Sequence, residues 1–78
     1  MNPRILNVHI LDNYRLVLTF NNQERKVFDV KPYLSTGIFK ELLKTEIFNS
    51  VKVVDGTIQW SNEADFCPDT LYLEGQNI

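Results

Sequence analysis

Along the first part of the chain, apolar and polar side chains alternate in three separate runs. From Ile5 to Leu11, Leu6, Val8 and Ile10 fall on one side and Asn7 and His9 on the other. From Tyr14 to Phe20, Leu16, Leu18 and Phe20 share a side, opposite Arg15, Val17 and Thr19. From Glu24 to Val30, Phe28 and Val30 point inward, and Arg25, Val27 and Asp29 outward. A period of two marks a strand with one buried face, so the spacing predicts three strands. Phase then constrains the turns, because residues directly opposite in a hairpin share a face. A two-residue loop at Asp12-Asn13 would set Ile10 against Arg15 and split the apolar set. An odd loop or a bulge sets Ile10 against Leu16, Val8 against Leu18 and Leu6 against Phe20. The same reasoning sets Leu16 against Phe28 and predicts a three-residue loop at Asn21-Asn22-Gln23. Such loops end in a left-handed residue, usually glycine. Gln23 in that place costs roughly 1–2 kcal/mol.

The period changes after Lys31-Pro32-Tyr33-Leu34, which reads as a short turn. Ser35 or Thr36 can cap a helix running to Lys44. Ile38 with Leu42, and Phe39 with Leu43, are four apart and give it one apolar stripe. Gly37 near its start weakens it, so packing on the sheet has to hold it. Phe48 is a second anchor. Asp55-Gly56 lies between the β-branched runs Val51 to Val54 and Thr57 to Trp60. That dipeptide predicts a type I′ hairpin with Val53 opposite Ile58 and Val51 opposite Trp60. Pro68 can open a short helix with Asp69 in its first turn, where a carboxylate meets the positive helix end. Leu71 and Tyr72 would close the core, and the tail from Gly75 to Ile78 reads as frayed. The expected fold is a single α+β domain over residues 1–78. Its order is βββ–α–ββ–α, with a mainly antiparallel sheet and helices packed on one face.

Composition narrows what such a domain does. The chain has 78 residues, 44% hydrophobic and 12% aromatic, which is globular and allows one core in which rings do much of the filling. No apolar run approaches the roughly 18 residues of a membrane span, and Met1-Asn2-Pro3-Arg4 does not open a signal peptide. A single cysteine, Cys67, cannot form an internal disulfide, so the chain reads as cytoplasmic. One Cys and one His cannot complete a structural zinc site, and no metal or cofactor is expected. With eight basic and ten acidic residues and a net charge of −2, direct nucleic-acid binding is not expected either.

Several motifs in fixed order carry a resemblance. They are Leu16-x-Leu18-x-Phe20, Phe28-Asp29-Val30-x-Pro32-Tyr33-Leu34, Gly37-x-Phe39-x-x-Leu42, Phe48-x-x-Val51, Ile58-x-Trp60 and Asp65-x-x-Pro68-Asp69-x-Leu71-Tyr72. Together they resemble the bacterial and archaeal family called domain of unknown function 2442, over nearly the whole chain. The resemblance implies a fold like the N-terminal domain of a small group of proteins with a C-terminal helix-turn-helix. It also implies an antitoxin-like role beside a second small protein encoded by a neighbouring gene. It carries no catalytic residues. Two departures stand out: the family usually has Gly where this chain has Gln23, and the chain reaches Ile78 without a helix-turn-helix, so a DNA-binding element of its own is not expected.

The remaining candidates for chemistry each have a plain structural reading. His9 lies on the less apolar side of its strand and reads as a solvated histidine. Cys67 before Pro68 could be an activated thiol, but only His9 could serve as its base. Asp65 and Asp69, with Glu63 nearby, could hold a cation; as structural residues they close a turn and start a helix. Trp60 and Tyr72 read as core rings, and with Asp65 and Pro68 they form the structural signature of the C-terminal half. Arg15, Arg25 and Lys26, with His9, read as a cluster near one uncovered sheet face, the expected contact with a partner protein or a second copy. The function expected is therefore a non-enzymatic protein-interaction module. A second reading is a ligand-sensing module beside a separate DNA-binding protein, with a pocket under Trp60 and Tyr72. A third is a small carboxylate-dependent enzyme using Asp65 and Asp69.

Overall fold

The computed structural model describes residues 2–78. Three strands open the chain: β1 (Ile5–Ile10), β2 (Arg15–Phe20) and β3 (Arg25–Asp29). After a 3₁₀ turn at Lys31–Tyr33 come a 3₁₀ segment, Gly37–Leu43, and a single α-helical turn, α1 (Thr45–Phe48). A hairpin of β4 (Lys52–Val54) and β5 (Thr57–Gln59) follows, then α2 (Pro68–Glu74) and a last strand, β6 (Gln76–Asn77). The main sheet is antiparallel in the order β1-β2-β3-β6. The β4–β5 hairpin forms a second, separate sheet rather than extending the first. The α+β class and the order βββ–α–ββ–α thus hold, with a short strand added at the end. The Cα radius of gyration, 11.5 Å, equals the roughly 11.5 Å expected of a compact chain this long.

Strand phase is as the pattern requires in β2 and β3. Ile10 faces Leu16, Val8 faces Leu18, and Leu16 faces Phe28. The first turn is odd: Leu11 N–H donates to Arg15 O at 2.8 Å, with Asn13 and Tyr14 both at positive φ. The second is the expected three-residue loop, with Gln23 left-handed at φ +73° and the Asn22 carboxamide accepting from Glu24 N–H. One placement is corrected. Ile5, not Leu6, faces Phe20, because a bulge between Ile5 and Asn7 slips the register by one residue. Ile5 is buried and Leu6 is 63% exposed. The tail is also corrected: Gln76 pairs with Val27 and Asn77 with Lys26, so backbone pairing holds residues that read as frayed.

The middle segment is helical but wound more tightly than the spacing predicts. In a 3₁₀ helix residues three apart eclipse, so the inward side chains are Phe39 and Leu42, and Phe48 of α1 joins the core after the extended Lys44. Ile38 and Leu43, the other members of the expected stripe, face water. Gly37 has φ +52°, which blocks a regular α start, and Thr36 donates its hydroxyl to Tyr33 O instead of capping. At the β4–β5 turn Asp55 and Gly56 both have positive φ and Val53 faces Ile58, as the dipeptide demands. The ladder stops at Lys52 and Gln59, one step short of Val51 and Trp60, and Trp60 N–H bonds Ala64 O on the other side of β5.

One core fills the space between the inner face of the main sheet and the helical segments. Phe66 is its hub, with ring centroids 4.8–5.8 Å from Phe28, Tyr33, Phe39 and Trp60. Trp60 is buried, and its indole N–H donates to Phe48 O at 2.9 Å, so the largest ring leaves no polar atom unmet.

Candidate functional site

Among the described residues no helix packs on the outer face of the main sheet. The register sets its residues in rows across the strands. Asn7, Thr19 and Arg25 form one row; His9, Val17, Val27 and Gln76 form the next; Arg15 and Asp29 form the third. Ile78 N–H donates to Arg25 O, which places the last residue at the end of the first row. Val17 is only 8% exposed and Val27 half-buried, so neighbouring side chains pack over the centre of the face.

The charges on this face are not equivalent. Arg15 is held by Asp12 at 2.8 Å, and Asp29 by the Lys31 backbone N–H at 2.9 Å and its ammonium at 3.4 Å. These exposed pairs contribute little to stability but neutralise one another. Arg25 and His9 are exposed and, among the described residues, no side chain bonds either of them. The uncompensated charge of the face is therefore the Arg25 guanidinium, whose planar fork suits a carboxylate.

Lys26 is not part of this cluster, a correction to the sequence reading. Successive strand residues point to opposite faces, so Arg25 and Lys26 cannot share one. Lys26 is 8% exposed on the core side. Its ammonium donates to Tyr72 O at 2.7 Å and lies 4.1 Å from the Tyr72 ring centroid. It caps the C-terminal end of α2, whose own last turn carries no basic residue. Tyr72 in turn packs edge-on against Phe20 at 5.2 Å and donates its hydroxyl to Glu24 at 2.8 Å. That hydrogen bond raises the Tyr72 pKa above its ordinary value.

The other sequence candidates lie apart. His9 is on the outer face, whereas Cys67 is the exposed residue before α2, which packs on the inner face. Asp69 accepts from the Asn2 carboxamide at 3.3 Å, and Asp65 bridges to Gln59 through its backbone. Among the described residues no three His, Cys, Asp or Glu side chains come together as a metal site would require. Pro68 is at the first turn of α2, as expected. Sequence reasoning missed Ala64 and Phe66, both buried; the signal was the apolar pair flanking Asp65. It also missed a cleft of about 270 Å³ between the β1–β2 turn and α1.

No helix of the described residues is long and apolar enough to cross a membrane. No curated protein and no solved structure matches the chain. A family model does match, over residues 5–77. That span takes in all six strands, both helices and the outer face just described. The chain accordingly belongs to the family described as Protein of unknown function (DUF2442).

Proposed function

We propose that this protein is a non-enzymatic interaction module, the antitoxin-like half of a two-component cytoplasmic complex, and that the outer sheet face is its contact surface. The observation that supports this reading is the pairing pattern of that face. Arg15 and Asp29 are already neutralised, while Arg25 stands uncompensated beside a centre of buried Val17 and half-buried Val27. A packed apolar centre with one unpaired cation at its margin suits a partner that presents a carboxylate beside an apolar patch. The sheet would act by covering the partner's working surface, with Arg25 setting register and His9 at the edge of the contact.

The test is co-expression with the product of the neighbouring gene, followed by titration calorimetry. A stable complex is expected, with Arg25→Glu weakening it by about tenfold or more, since reversing a charge makes a repulsive pair in place of an attractive one. Arg15→Glu should weaken it less, because Asp12 already occupies that guanidinium. Failure of the two proteins to co-elute, or full affinity in the Arg25→Glu variant, overturns the reading.

A further inference from the structure

The outer edge of β1 has a different character from its face. Leu11 N–H donates to Arg15 O, and Arg4 O accepts from Asn21 N–H. With Asn7 opposite Thr19 and His9 opposite Val17, alternation turns the amides and carbonyls of Asn7 and His9 toward β2. Those of Val8 and Ile10 point away. Among the described residues β1 has no second strand neighbour. Near its start, Ile5 N–H donates to Gly56 O at 2.8 Å, so the β4–β5 turn closes the edge there. Beyond that point no backbone group among the described residues bonds Val8 or Ile10, and such groups are left to water.

This bare edge runs into the cleft. Ile10 forms part of the cleft wall, with Tyr14 and Phe48 as its apolar lining and Thr45 and Asn49 as its polar rim. The wall is fixed by a costly conformation. Tyr14 has φ +58°, rare for a bulky residue, and it is held by its hydroxyl on Leu43 O at 2.8 Å and its ring edge-on to Phe48 at 5.1 Å. At about 270 Å³ the cleft falls below the roughly 300–1,000 Å³ of small-molecule pockets. It is sized for one large side chain. Two outward backbone rungs ending at a one-side-chain cleft are the parts of a strand-addition site, in which main-chain bonds give affinity and a pocket gives specificity.

We propose that the edge of β1 at Val8 and Ile10, together with this cleft, accepts an extended peptide segment of a partner protein. The segment adds a strand to the main sheet and seats one aromatic or long aliphatic side chain against Tyr14 and Phe48. This site is distinct from the Arg25 face and stands whether or not that face binds a partner.

The test uses a display library of random peptides of about eight residues, selected on the full chain. Selected peptides are expected to share one Phe, Trp, Leu or Ile among strand-forming neighbours. Binding should fall about tenfold or more in Val8→Pro, which removes an outward N–H and no ladder bond to β2, at the cost of some core packing by the Val8 side chain. Asn49→Trp, which fills the cleft from its rim, should cause a similar loss and serves if Val8→Pro melts early. Arg25→Glu should leave binding unchanged, which separates this site from the face. In hydrogen exchange, the Val8 and Ile10 amides should exchange fast in the free chain and slow about tenfold with peptide bound. An empty selection, peptides that bind both variants at full affinity, or slow Val8 and Ile10 amides in the free chain overturn the proposal. So does a concentration-dependent dimer abolished by Val8→Pro, which would make a second copy the occupant.

Discussion

On one side of the main sheet, β3 is covered by β6 and by α2; on the other, Val8 and Ile10 of β1 pack their side chains on the core but turn their backbone amides and carbonyls outward. Closing the first edge takes dedicated residues. Lys26 turns inward to cap α2, Tyr72 bridges Phe20 and Glu24, and Gly75 lets the chain bend back into β6. The Tyr33 hydroxyl adds a bond to Glu74, tying the turn after β3 to the end of α2. No comparable set serves β1, although its strand is longer than β6. A small chain that seals one edge so thoroughly and leaves the other bare is not short of means to seal both. The difference separates residues that hold the fold from backbone groups that the fold leaves unused.

Phe20 is the residue that breaks the contrast altogether. It faces Ile5 across the β1–β2 ladder and packs against Tyr72, so it supports both edges at once. Phe20→Ala should lower stability by about 3–5 kcal/mol in urea unfolding and speed amide exchange on both sides of the sheet. A loss confined to one edge would show that the two are independent. Lys26→Met, which keeps the packed stem but deletes the charge, should cost about 1–3 kcal/mol. Its effect should reach the Val27 and Gln76 amides and leave Val8 and Ile10 untouched. Gly75→Ala places a Cβ 2.8 Å from Leu71 O and 3.0 Å from the Lys26 Cβ, so the chain must shift there. We expect a loss of about 1–2 kcal/mol, with β6 detached as read by exchange at Val27 and Gln76.

Two smaller effects sharpen the picture of the closed side. Gln23→Gly should gain up to about 1 kcal/mol, since only glycine takes φ +73° without strain, and it should leave the edges as they are. The Tyr33 pKa is pushed up to about 12 by its hydrogen bond to Glu74, by burial and by the Glu74 charge. The unfolded chain gives up this proton near its ordinary value of 10, and the folded one holds it to about 12. The associated stability is complete below pH 10 and is lost as pH rises through about 12. Tyr33→Phe should therefore flatten the alkaline fall in unfolding free energy over that window. An unchanged slope would show that the Glu74 contact is not held in solution.

Much of this architecture was legible because alternation and turn chemistry constrain each other. Leu16, Leu18, Phe20 and Phe28 could share a face only with odd loops, and Asp55-Gly56 allowed only one tight hairpin. His9, Arg15 and Arg25 followed onto the outer face by the same counting. Lys26 was misplaced by treating a basic pair as one patch, when strand geometry splits any consecutive pair. Leu6 and Ile5 exchanged places because a bulge leaves the apolar count unchanged and shifts only its phase. The 3₁₀ winding was hidden because Phe39, Leu42 and Leu43 satisfy a spacing of three or four until Gly37 sets the backbone. β6 was invisible for a different reason: Gln76 and Asn77 have no apolar pattern, and backbone pairing with β3 alone makes them a strand. The unpaired edge of β1 depends on the β4–β5 hairpin packing beside β1 without joining its ladder, which is a matter of long-range packing and not of local sequence.

The bulge at Leu6 bears on how such an edge survives in a crowded cell. Extra residues in one strand twist and kink it, and flat unpaired borders are what let identical chains zip into ribbons. By interrupting the border just before Val8, the bulge limits any stack to two rungs, too few to propagate. Removing Leu6 would straighten and lengthen that border, favouring edge-to-edge stacking of copies of the chain.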